Sequence, residues 1–574
     1  MADQKIENLL ELSLDTPEGT REKSENLSAG YNPAENQWEI VIRYDGDLQE
    51  FTEGIASVTP LFGGYAVLVV TEEQLIALSS EPRVEYIEKP KALSFAVYGG
   101  KLASCIPPVQ RAPYNLSGKG VIVAVIDSGI DIYHPDFRNE DGTTRLLGVW
   151  DQTVTTGSPP EGYPFGTYFS AEDINAILSA EEKSPIVDLS GHGTHVTGIA
   201  AGNGRASRGE NRGVAYESDI LFVKLRGRSR NGFPQTTELM MGVDFCMRKA
   251  IELALPLALN LSYGNSYGAH DGTSLLETYL DNAAGLGKTT ICIGSGNEGN
   301  KKRHMSGRTE IGRDYTIEFI VAPGEYNLSI QIWKNYVDDF QISLQSPSGS
   351  SVVYTEETSG THQNVLDGTE ILWYFGEPSP YSVSQEIYIE MLPEGVYSNV
   401  RSGIWKILLR PKKIVDGTFN LWMPSGSSIS DETGFLVPET NNTLTIPSTA
   451  SKSITVGAYD SNTESFAAFS GQGAMCCQFL SKPDIAAPGV NIISCAPGGG
   501  YTSKTGTSMA CPFVTGSAAL LMQYGIVNGQ DPFLFGQKVK AYLERGARPL
   551  VAYGKYPNPD IGWGTLCLRD SMPQ

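Results

Sequence analysis

The stretch GKGVIVAVIDSG, residues 118–129, decides how the rest of the chain is read. Its apolar run is nearly continuous, where a strand with one wet face would alternate. That is the pattern of a strand buried on both sides, as in a parallel sheet covered by helices. The run ends on Asp127. A carboxylate at the end of a buried strand needs a partner, because unpaired burial of charge is costly.

Outward from this strand the same rhythm repeats. HGTHVTGIAAG (192–202) reads as helix, DILFVKL (219–225) as strand and TTELMMGVDFCMRKAIELA (236–254) as helix. LALNLSYG (257–264), LLETYLDNAAGLG (275–287) and TTICIGSGNEG (289–299) continue as strand, helix and strand. Such alternation with short links describes an α/β domain with a doubly wound parallel sheet. After about residue 305 the rhythm changes to short β-type runs such as YTIEFIVA (315–322) and EYNLSIQIW (325–333), separated by turn residues. That is the signature of an all-β sandwich or jelly roll. The α/β rhythm resumes with SITVGAYD (453–460) and PDIAAPGVNIISCA (483–496), so the β module is inserted rather than appended.

Toward the N-terminus, WEIVIRY (38–44), GYAVLVV (64–70), a helix capped by Thr71 and VEYIE (84–88) form a small α+β unit. The division expected is a flexible acidic leader at 1–35, the α+β unit at 36–95, the first part of the α/β domain at 96–304, the β insert at 305–435 and the second part at 436–574. KALSFAVYGGKLASCIPP (91–108) reads as a linker.

The net charge of -22 opposes binding to nucleic acid or to anionic lipid. The N-terminal segment is acidic throughout with no apolar signal-peptide core, and no later run is read as a membrane span. The expectation is cytoplasmic synthesis without a Sec signal, followed by spore association or release by a less obvious route. The eight cysteines show no CxxC pair and no zinc spacing, and buried reduced thiols are expected.

Three segments sit at strand or helix ends, where open sheets place their sites. Asp127 ends its strand, His192 stands between glycines at the start of a helix, and Ser508 in SKTGTSMACPF (503–513) starts another. A serine hydroxyl is a poor nucleophile near neutral pH and needs an imidazole base, itself oriented by a carboxylate. Asp, His and Ser in that order form one of the recurrent triads. His195 and His134 read as structural, and His270, His304 and His362 fall in polar loops or the insert.

VIDSGIDIYHPDF (125–137), GHGTHVTGIAAG (191–202) and GTSMACPFVTGSAAL (506–520) resemble the Asp, His and Ser blocks of the subtilisin-like serine proteases, in family order. The resemblance implies catalytic Asp127, His192 and Ser508. ICIGSGNEGN (291–300) resembles the oxyanion segment, implying Asn297 as amide donor beside the Ser508 N–H at a helix N-terminus. It further implies that Ser262, Tyr263 and Gly264 form one wall of the S1 pocket and Gly294, Ser295 and Gly296 the other. Leu225 to Gly227 would border more distant subsites, with a protein or peptide substrate pairing as an added strand. The N-terminal α+β unit resembles a propeptide that assists folding and is cut by the enzyme itself, near Phe95 or Ala96.

The layout as a whole, with RLLGVWDQT (145–153) and NPDIGWGTLCLRDS (558–571), is similar to the Csp proteases of spore-forming clostridia. Members of that group activate a cortex-lytic zymogen during germination. Degradation of dietary or host protein is the alternative enzymatic reading, and a pseudoprotease or binding scaffold the non-enzymatic one. No cofactor and no metal ligand is assigned. Many subtilases bind calcium after the His block, but AAGNGRASRGENRGVAY (200–216) has Gly and Arg where ligands are wanted, and the insert is read as a replacement stabiliser. Trp333, Trp373, Trp405 and Trp422 could stack on carbohydrate, with core packing the favoured use. No oligomeric state is assigned.

Overall fold

The computed structural model describes residues 5–17, 30–61, 64–89, 96–180, 184–227, 234–354, 360–380, 382–395, 397–426, 429–474 and 482–573. The chain divides into two compact units, Met1–Ser94 and Phe95–Gln574.

In the first unit, strand Gln37–Tyr44 pairs antiparallel with Tyr65–Val70 and Val84–Glu88, and Ser57–Leu61 extends the sheet. Trp38, Ile40 and Ile42 alternate inward, where they meet Leu75 and Leu78 of helix Glu72–Ser79. Thr71 caps that helix in a reciprocal box with Gln74, as the sequence indicated. The expected flexible leader is corrected. Residues Asn8–Asp15 form a helix, Ile6 bridges Ile87, and Leu10 is fully buried. Leu10 and Leu14, one turn apart on that helix, pack into the core, a spacing that the surrounding acids disguise.

In the second unit the central sheet runs, from one edge, Thr167–Ser170, Leu146–Asp151, Asp219–Lys224, Ile122–Asp127, Leu257–Leu261, Thr289–Gly294, Ile454–Asp460 and Ser465–Phe466, with Ile485–Pro488 also pairing Ile454–Asp460. Its inner strands are parallel and fully buried, which is why they read as unbroken apolar runs. Helix Thr507–Met522 crosses this core, packing on helix His192–Ala201. With the turn after it, this helix is apolar and long enough to cross a bilayer, but 83% of its most apolar window is enclosed by the protein. At Gly516 a side chain would meet Val214 Cβ at 2.5 Å and the Ala200 carbonyl at 3.0 Å, so only glycine permits the approach.

Between Thr289–Gly294 and Ile454–Asp460 the chain makes two antiparallel sheets of six and five strands. They share one core, with Phe319, Phe340 and Trp405 from one sheet facing Ile330, Trp373 and Ile389 from the other. Trp373, Trp405 and Trp422 are buried, which leaves them no face for a sugar. His270 lies in a loop, as expected, but not an open polar one. It is buried and stacks on Trp422 at 4.2 Å between centroids.

Two further expectations are corrected. The linker contains helix Ala96–Ala103, where Gly100 lies against the Phe513 ring and Lys101 Nζ donates to the carbonyls of Arg212 and Gly213. The cysteines are not all reduced, since Cys105 and Cys567 form a disulfide with Cα atoms 4.8 Å apart. No local spacing rule spans the 462 residues between them. Cys246, Cys292, Cys495 and Cys511 are buried free thiols, as expected, while Cys476 and Cys477 lie outside the described residues.

Candidate active site

The strand bearing Asp127 is buried along its whole length, and Asp127 itself has no exposed surface. Its Oδ1 accepts the Ser128 N–H at 2.7 Å and pairs with His192 Nδ1 at 2.7 Å. That is the partner the buried carboxylate required. The His192 helix is entered through Gly191 at φ +67°, and Gly193 lets its first turn press against the strand, where an added Cβ would stand 3.0 Å from Asp127 Cβ.

His192 keeps 29% of its side-chain surface exposed. Burial pulls its pKa down and Lys504 adds to that. The charge and hydrogen bond of Asp127, assisted by Asp188, outweigh both, so the imidazole titrates above its ordinary value. His195, one turn on, behaves oppositely. Its Nε2 faces the carbonyls of Ile492 and Thr502 at 2.9 and 3.0 Å, and burial brings its pKa down to about 4.

Ser508 is the second residue of its helix, and its hydroxyl makes no hydrogen bond among the described residues. Thr507 beside it donates its N–H at 3.0 Å and its hydroxyl at 3.2 Å to Asn297 Oδ1. With Oδ1 doubly engaged, the Asn297 amide is fixed with its Nδ2 donor turned elsewhere.

Asn297 and Ser508 open onto one cavity of about 810 Å³. Leu225, Ser262, Tyr263, Gly264, Gly294 and Gly296 also line it, so the structure brings these six expected residues together. Ser295 and Gly227 are not brought there. Ser295 is buried with its hydroxyl on Ser470, and Gly227 is exposed outside the lining. Phe95 lies outside the described residues, and Ala96 begins a helix. Gly296, at φ +94°, leaves room for Thr445, whose Cγ2 would stand 2.5 Å from an added Cβ.

Sequence reasoning missed what the two-sheet segment supplies. Asn327, Pro424 and Asp431 line the same cavity. Lys301 holds Asp431 at 2.8 Å and Glu298 accepts the Gly426 N–H at 3.0 Å, so residues just past Asn297 tie that wall in place. No local signal reveals it, because the partners lie about 130 residues apart. Asp188 and Ser128 were also missed, although an Asp shortly before a helix is a capping signal.

One buried cluster has metal-ligand chemistry, namely His134, Asp136 and Cys495. Its His134 nitrogen and Asp136 oxygens already accept protein hydrogen bonds. His134 Nδ1 accepts the Asp136 N–H, and the Asp136 oxygens accept from Ala206, Cys495 and Tyr501. The loop after the His192 helix does not fit calcium either. Carbonyls of Ala201, Arg212 and Gly213 take N–H groups from Arg145 and Lys101, two cations that would repel a third.

Residues 4–91 match the Csp protease B prodomain, and residues 118–352 with 433–564 match the Subtilase family. The structure of the Clostridium perfringens CspB protease is similar at 36% identity and TM-score 0.76, over 83% of this chain and 96% of that one. The minor extracellular protease Vpr of Bacillus subtilis is 25% identical over 71% of this chain and 46% of its own length. The PI-type proteinase of Lactococcus lactis is 26% identical over 73% of this chain, which spans only 23% of that protein. With both segments of the catalytic-type domain matched and a Csp-type prodomain ahead of them, the chain belongs to the subtilase family.

Proposed function

We propose that the protein is a serine endopeptidase in which Ser508 attacks, His192 is the base, Asp127 orients it and Asn297 donates to the oxyanion. The carrying observation is the 2.7 Å Asp127–His192 pair together with an Asn297 amide fixed by the residue adjoining Ser508. Asp127 holds the proton on His192 Nδ1, which leaves Nε2 as the base for the Ser508 proton. As Oγ bonds to the scissile carbonyl carbon, negative charge moves to the carbonyl oxygen, where Asn297 Nδ2 and the Ser508 N–H donate. The imidazolium returns its proton to the departing amine, and water then releases the acyl group by the same steps.

The Asp127–His192 pair favours this over a scaffold that has lost activity. In this reading the first unit is a propeptide removed by self-cleavage near Phe95–Ala96. The two-sheet segment is a jelly-roll-type insert, and the substrate is a protein, with zymogen activation the role its Csp resemblance favours. Labelling with a fluorophosphonate probe tests the nucleophile: intact protein labels and Ser508→Ala does not. N-terminal sequencing of purified wild type should begin within residues 92–100, and Ser508→Ala should keep its first unit. A labelled Ser508→Ala overturns the assignment.

A further inference from the structure

Asp188 is buried four residues before His192, and its carboxylate gathers five donors from the surrounding turn. Oδ1 accepts from Ser128 Oγ at 2.9 Å, Gly191 N at 3.0 Å and Ser190 Oγ at 3.3 Å. Oδ2 accepts the N–H and hydroxyl of Thr194 at 2.9 and 2.8 Å. These donors come from both elements that carry the Asp127–His192 pair. Ser128 follows Asp127 and also accepts the Gly193 N–H at 3.1 Å, while Ser190 accepts the His192 N–H at 3.1 Å.

The backbone that carries this carboxylate is held from outside the turn. Lys224 Nζ donates to the Val187 carbonyl at 2.9 Å. At Gly129 (φ +146°) an added Cβ would stand 2.9 Å from Asp188 Cα, so this backbone approach needs glycine.

We propose that Asp188 is a positioning residue for His192, a clamp that locks the end of the Asp127 strand to the start of the His192 helix and adds a second negative charge behind the imidazole. This rests on the peptidase reading above. The charges facing His192 are Asp127 from its strand, Lys504 from the hairpin Ile492–Lys504 and Asp188 from the preceding turn, and the titratable His195 on its own helix is neutral above about pH 4. Tyr263 across the cleft feels both Asp127 and Asp188. Five donors fix the turn, and the clamp holds the pair's geometry before substrate arrives. Small displacements of a catalytic group can cost up to about 10²-fold in rate.

The test compares wild type with Asp188→Asn in peptide hydrolysis across pH. The expected result is a kcat lowered roughly tenfold or more with KM nearly unchanged. The acid limb of kcat/KM should also move to lower pH, because losing the second charge destabilises the imidazolium. An unchanged kcat, or a loss accompanied only by a lower Tm with the limb unmoved, overturns the proposal. If Asp188→Asn does not fold, Thr194→Val and Ser128→Ala each remove a clamp donor but keep the charge. Both should lower kcat without moving the limb, and two wild-type-like variants overturn the clamp. A wild type that neither labels nor hydrolyses sinks the peptidase reading instead. In that event the NMR titration of His192 in wild type and Asp188→Asn decides the clamp, which fails if the two pKa values coincide.

Discussion

Asn297 Oδ1 receives two hydrogen bonds from Thr507, one from its backbone and one from its hydroxyl. The residue that precedes the proposed nucleophile Ser508 thereby sets the direction of the amide that would stabilise the oxyanion. Asn297→Ala is expected to lower kcat by about 10²–10³ with little change in KM, the loss typical of one missing donor of this kind. Thr507→Val, which keeps the backbone bond, should cost roughly tenfold or less. Steady-state kinetics on a peptide substrate measure both, and a KM effect larger than the kcat effect would contradict the role.

The charge around His192 gives a pH dependence of fixed sign. In the proposed mechanism His192 must be neutral to act as base, and its pKa is raised. Activity should therefore appear with rising pH along a limb centred above about 6.5, the ordinary imidazole value. Lys504 opposes protonation of His192, so Lys504→Met should raise that pKa and move the limb to higher pH. Profiles of kcat/KM for the two proteins check it, and a shift to lower pH would be the wrong sign.

The Cys105–Cys567 bond should contribute on the order of 2–5 kcal/mol by restricting the unfolded chain. Reductant should lower the Tm of wild type. Cys567→Ser should begin at the lower value and no longer respond to reductant. Thermal melts in both conditions measure this, and equal responses of the two proteins would show that the bond does not form.

Gly516→Ala should destabilise the second unit by about 1–3 kcal/mol, because its Cβ would collide with Val214 and the Ala200 carbonyl. Chemical denaturation reads the change, and unaltered stability would mean the two segments separate more easily than their contact implies.

The parts of the fold that a local pattern encodes could be read in advance. Ile122–Asp127 and Thr289–Gly294 are buried on both faces and look it, and the blocks around Asp127, His192, Asn297 and Ser508 lie at the ends of such elements. What escaped is held by distant partners. Helix Ala96–Ala103 carries two glycines and owes its place to Phe513, Arg212 and Gly213. Strands Gly360–Leu366 and Thr369–Phe375 also went unread, and their hairpin is fixed by cross-strand pairing. The leader is hidden for another reason: its acids mask the one-turn spacing of Leu10 and Leu14, and Ile6 is placed by its bridge to distant Ile87.

The two-sheet segment leaves the central sheet after Thr289–Gly294 and re-enters at Ile454–Asp460, and these strands are direct neighbours with Cys292 opposite Ile454. The two strands that carry it are thus held side by side, roughly 5 Å apart, whatever lies between them. A module mounted this way resembles a cartridge in a fixed socket, entered and left through adjacent strands of one sheet. Asn297 sits on the rim of that socket, so in the proposed reading the oxyanion donor stands where the cartridge is attached.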